Sequence, residues 1–275
     1  MTVGAWSWAS PLQLQATDPA QALATTQALA YGIIAIAAVG LLYYLWAYGS
    51  HVLAARTVRR NLWYFAVGNG AAVLYGVSGA YALTTPVRWP EVFAEGATLF
   101  FIMFYALGFR SVYLSAPEIG RWQVSFAEGN PFRELFPPWL DFVIIAGYIV
   151  AWWGSFLFAP AWTDVIVAVG WLLASGWAFV WAILLVRSHE GTSLAALTRH
   201  LFPAIIAFVV TILADLVGTY VAGASNLVTA TWIVGTVLVG AFFVTTAIAL
   251  RQEGGEVERL YDWTTYRGRE PLEDE

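Results

Sequence analysis

The chain has 275 residues, of which 60% are hydrophobic and 11% charged, with 15 Trp, a mean hydropathy of +0.67 and a formal net charge of −5. That balance excludes a soluble globular domain and intrinsic disorder alike, and it predicts an all-α polytopic membrane protein. There is no Cys, and all 13 basic residues are Arg, so the chain has no disulfide framework, no thiolate metal site and no side-chain amine for a Schiff base.

The first 24 residues carry one charge, Asp18, and no basic stretch before an apolar core, which argues against a cleaved signal peptide and reads as a short outside tail. Seven apolar segments of spanning length follow, at 25–49, 62–84, 91–114, 137–158, 164–187, 201–223 and 227–250. Arg56, Arg59 and Arg60 follow the first segment, and Arg121 and Arg133 the third. Arg187 and Arg199 flank the fifth connection, Arg251 follows the seventh segment, and the opposite side has only Arg88. The positive-inside rule then predicts a seven-helix bundle in the plasma membrane with the N-terminus outside and the C-terminus cytoplasmic. Residues 1–250 read as the transmembrane domain and 251–275 as an acidic cytoplasmic tail, with eight acids against four Arg. An acidic, lysine-free surface suits a halophilic, archaeal source.

Several segments carry closely spaced small residues (Gly68 and Gly70, Gly76 and Gly79, Gly170 and Gly176, Gly235 and Gly240), read as helix packing. Trp46, Trp63, Trp89, Trp139, Trp152, Trp153 and Trp162 fall near segment ends and read as an interfacial belt. The connection at 115–136, with Pro117 and Pro131, reads as an irregular cytoplasmic link. No phosphate-binding, nucleophile-elbow or nucleotide motif occurs, and nothing points to nucleic acid.

The third segment organises the rest. It is uncharged from 96 to 108, with Glu91 and Glu95 at one end and Arg110 at the other. An ionisable group at membrane depth is expensive, so Glu95 is paired, protonated or lining a wet cavity. Asp215 falls at comparable depth by helical rise, and Glu95, Asp215 and Arg88 form a candidate outer site, the alternative being hydrated interfacial residues. Asn69, Arg110 and Asp141 form a candidate inner site, in which an Arg110–Asp141 pair is the simplest use. Between the two layers stand only hydroxyls, including Ser175, Thr211 and Thr236, which argues against an efficient proton pump. His51, His189 and His200 sit at cytoplasmic helix ends. They read as solvated end residues, with a metal set as the alternative.

LLYYLWAYG at 41–49, Arg59 and Arg60, and VLYGVSGAYALTTP at 73–86, with FAEG at 93–96, resemble the first three helices of the microbial rhodopsins, the bacteriorhodopsin-like family. The resemblance implies a seven-helix, N-out bundle with Glu95 at the chromophore counterion. The departures are specific. Val92 replaces the family's Arg, Phe242 stands where the retinal-binding Lys should be, Leu238 stands at the second acid, and AFVVTILADLV at 207–217 lacks the pocket's aromatic and Pro set. The resemblance therefore implies a non-photoactive scaffold with no covalent cofactor and favours binding over an enzyme activity, which stays open. Its role would be to bind a non-covalent carotenoid, retinal, quinone or lipid, or a membrane or cytoplasmic protein partner, as a monomer or homo-oligomer in the bilayer. Two alternatives stand beside it: a proton or ion transporter or channel using Glu95 and Asp215, and an intramembrane lipid- or isoprenoid-modifying enzyme using the His residues.

Overall fold

Helix accounts for nearly every described residue, because a long apolar run gives its backbone N–H and C=O groups no partner except each other. The structure, a computed structural model, describes residues 19–52, 56–115, 137, 139–188, 193–217 and 226–267. Its long helices are α1 (Pro19–Val52), α2 (Arg56–Ala82), α3 (Trp89–Ser115), α4 (Trp139–Phe158), α5 (Thr163–Ser188), α6 (Ser193–Val217) and α7 (Asn226–Arg267), with a 3-10 turn at Pro160–Trp162 leading into α5. Six of them are long and apolar enough to cross a membrane. This is the pattern of a multi-pass membrane protein. The exception is α2, whose apolar content is diluted by its leading arginines, Asn61, Asn69, four glycines and four tyrosine or tryptophan residues.

Neighbouring helices pack in chain order, α1 on α2 and α2 on α3, then α5 on α6 and α6 on α7, and α7 closes the ring against α1. The inner position belongs to α3, which also packs on α5. In its most apolar stretch 83% of the residues are buried, against 17% in α4, which lies at the periphery. Rings from five helices interlock along the axis. Phe101 of α3 lies 4.8 Å from Phe208 of α6 and 5.8 Å from Phe243 of α7 between ring centroids, while Trp171 of α5 and Tyr75 of α2 lie 5.4 and 5.7 Å from Phe208. Each such pair contributes about 0.5–1.5 kcal/mol beyond its buried area.

Several expectations need correction. The sixth helix starts at Ser193 rather than at 201, so Arg199 and His200 lie within α6, while the expected end at 223 lies outside the described residues. The seventh helix passes through position 250 without a break and runs to Arg267, continuing through Gly254 and Gly255. Trp152 is not part of an interfacial belt: it is buried at 5% exposure against Gly96, where a Cβ would overlap its indole. Trp46, Trp63, Trp89, Trp139, Trp153 and Trp162 are exposed, as a belt requires. The tail before Pro19, the connection at 116–136 with Arg121 and Arg133, His189, and the side chains of His51, Arg56, Arg59, Arg60 and Asp215 lie outside the described residues.

Candidate functional site: a cup at one end of the bundle

α3 opens in a way its sequence dictates. Pro90 in the first turn is pre-set for helical φ, the Val92 N–H donates to the Arg88 carbonyl at 3.2 Å, and Glu91 supplies an acid against the positive end of the helix dipole. One turn further on comes Glu95, and one more turn brings Thr98 to the same face. These residues line a cavity of about 590 Å³ at the end of the bundle where α3 begins. Gln27 and Tyr31 of α1, Tyr75 and Gly79 of α2, Arg88, Ile212 of α6, and Thr229 and Trp232 of α7 line it as well.

Arg88 and Glu91 are exposed at its rim, whereas Glu95 is half-buried and its Oε2 is shut off from solvent. At the floor the Thr98 hydroxyl donates to the Glu95 carbonyl at 2.6 Å and accepts from the Trp171 indole N–H at 2.8 Å. One wall is aromatic: the ring of Tyr31 stands edge-on to Tyr75 at 5.2 Å and to Trp232 at 4.7 Å. Gly76 and Gly79 make that wall, beyond the simple packing expected of them. A Cβ on Gly79 would overlap the Tyr31 ring, and one on Gly76 would sit 2.6 Å from the Tyr31 carbonyl oxygen. Below Thr98 and Tyr75 the rings around Phe208 close the axis.

Of the expected outer set, Glu95 and Arg88 line this one cavity. Asp215 follows the cavity-lining Ile212 by three positions in α6, and its side chain lies outside the described residues. Glu91, Tyr31, Tyr75, Trp232, Thr98 and Trp171 were not anticipated. Thr98 was accessible from its position three residues after Glu95; the rings were not, since nothing in α1 or α7 marks one aromatic among many.

At the other end the expected inner set divides. Arg110 of α3 and Asp141 of α4 form a buried ion pair. Asn69 does not join it: its side-chain N–H donates to the Phe65 carbonyl at 2.9 Å, and the Tyr105 hydroxyl lies beside it without a well-formed hydrogen bond. The intervening hydroxyls are buried, with Thr211 donating to the Ala207 carbonyl at 2.7 Å and Ser175 and Thr236 without a hydrogen-bond partner among the described residues.

The seventh helix turns one of two adjacent aromatics inward. Phe243 is fully buried on the axis while Phe242 is half-buried beside it, and Val239 is buried while Leu238 is exposed. The residues of α7 that meet the axis are thus Val239 and Phe243. Leu238 instead lines an apolar groove of about 440 Å³ on the outer face between α6 and α7, with Val210, Val234 and Gly235. His200 is exposed on α6, and among the described residues no three His, Cys, Asp or Glu side chains gather where they would hold a metal. No protein-family model, no curated protein and no solved structure matches this chain.

Proposed function

We propose that the chain is a multi-pass protein of the plasma membrane that binds a small ligand in the cup, with seven spans, the N-terminus outside and the cup open to the outside. The observation that carries this reading is the 590 Å³ cavity itself, in the size range of small-molecule sites and lined by a few convergent polar groups on an aromatic wall. The orientation rests on the Arg distribution, since Arg88 stands alone at the cup end. On this reading α2 spans despite its polar content because it packs between α1 and α3.

Binding is favoured over transport by what lies beneath the cup. A transported ion needs polar groups in sequence, and here the axis is packed rings, with Ser175 and Thr236 as separate buried hydroxyls. The rhodopsin-like resemblance fits a bundle of this order, but the filled axis favours a ligand at the mouth over a polyene through the middle. A hydrocarbon chain would instead suit the apolar groove between α6 and α7.

The absence of Cys makes the test clean. Single substitutions Ala82→Cys and Thr229→Cys at the cup, and Ser175→Cys and Thr236→Cys beneath it, are exposed to a membrane-impermeant maleimide on intact cells. The cup positions react from outside and the deeper ones do not, and liposomes carrying the protein show no proton flux. Labelling of the cup only from the inner side overturns the orientation; labelling of Ser175→Cys or Thr236→Cys, or a flux above empty liposomes, overturns the closed cup.

A further inference from the structure

We infer that the ligand of the cup is a small organic cation, an ammonium group of a few carbons, held by Glu95 and the ring wall of Tyr31, Tyr75 and Trp232; this rests on the cup being a binding site. The charge balance of the lining is the first argument. Among the described lining residues Glu91 and Glu95 bring two carboxylates and Arg88 one guanidinium, a net of one negative charge whichever of them pair. A ligand carrying one positive charge completes it, whereas an anion meets a net repulsion.

Depth is the second argument. Arg88 and Glu91 are at the exposed rim, where water and salt screen them, while Glu95 is half-buried with Oε2 shut from solvent. A carboxylate at that depth is screened by salt less than one at the rim, whichever cations it meets. The third argument is the wall beside it. Three rings from three helices line the same cavity, and aromatic rings attract a desolvated cation. Their position is built in, since the Tyr31 ring occupies the space that only glycine at 79 leaves open. Carboxylate and rings together favour an alkylammonium over a metal ion, which needs several oxygen ligands, and over an uncharged solute, which gains nothing from Glu95.

The test is equilibrium binding of radiolabelled choline to the full chain in lipid nanodiscs. Competitors are tetramethylammonium, the uncharged tert-butyl analogue dimethylbutanol, and the anion dimethylbutanoate. Choline is expected to bind saturably, tetramethylammonium to compete, dimethylbutanol to compete at least about tenfold more weakly and the anion not at all. Glu95→Gln and Trp232→Leu are each expected to weaken choline about tenfold or more, with Trp232→Phe retaining most of the affinity. Because Trp232→Leu removes a core ring and its fold is at risk, Glu95→Gln carries the decision if that variant loses its thermal transition. No saturable choline binding overturns the inference. So does equal competition by dimethylbutanol, and in that case Ala82→Trp still blocks the probes and the cup reading stands; the cup reading itself fails only in the cysteine-labelling experiment.

Discussion

The indole N–H of Trp171 in α5 donates to the Thr98 hydroxyl of α3 at 2.8 Å, and that hydroxyl in turn donates a hydrogen bond to the Glu95 carbonyl at 2.6 Å. Both side chains are buried, at 1% and 3% exposure. The bond therefore fixes α5 to α3 directly under the cup and sets the rotation of the turn that presents Glu95. Thr98→Val keeps the shape and removes both roles, leaving a buried indole N–H unsatisfied at a cost of about 1–3 kcal/mol. Thr98→Ser retains the hydroxyl and stays within about 1 kcal/mol of wild type. Thermal midpoints of the two variants check this, and equal midpoints would count against it.

Arg110 and Asp141 are the one link of opposite charges described between α3 and α4. Removing one partner strands the other in a dry site: Asp141→Ala and Arg110→Ala are each expected to cost about 3–5 kcal/mol. The double change Arg110→Met with Asp141→Leu fills the space with apolar groups and recovers most of that loss. Denaturant unfolding of the cycle measures it; single effects that simply add in the double variant would show that the pair is not coupled.

Gly96 and Trp152 form another attachment of α4 to α3, beside the Phe93 and Phe100 rings that also meet Trp152. Gly96→Ala places a methyl inside the indole's volume, and the displacement is expected to cost about 1–3 kcal/mol. On a Trp152→Val background the same change costs close to nothing, because the ring that it met is gone. A penalty unchanged by the background would assign the effect to α3 alone.

The rungs of α7 predict an order between adjacent positions. Phe243→Lys puts an ammonium among Phe101 and its neighbours and is expected to prevent stable folding or cost several kcal/mol. Phe242→Lys, half-buried, lets the long side chain reach away from the axis and costs less. With added retinal neither variant is expected to yield a coloured pigment, since rings fill the axis. Thermal midpoints and visible spectra of the two test both statements, and a less stable Phe242→Lys would count against Phe243 as the residue on the axis.

The sequence alone was sufficient for the helical class, for most helix positions and for the Arg110–Asp141 pair. An apolar run that must satisfy its own backbone has one regular solution, and with so few charges at depth the partners of each are few. It also marked Glu95, since a carboxylate inside an apolar segment is conspicuous by its cost. Which way the helices face was another matter. These helices are apolar on nearly every side, so no polar stripe records their rotation. That rotation decides that Phe243 rather than Phe242 meets the axis and that Trp152 turns inward onto Gly96. It also brings Tyr31, Tyr75 and Trp232, three unremarkable aromatics on three helices, to one wall beside Glu95. Only packing sets these facings, through the places where a glycine leaves room for a ring and the places where a ring fills it.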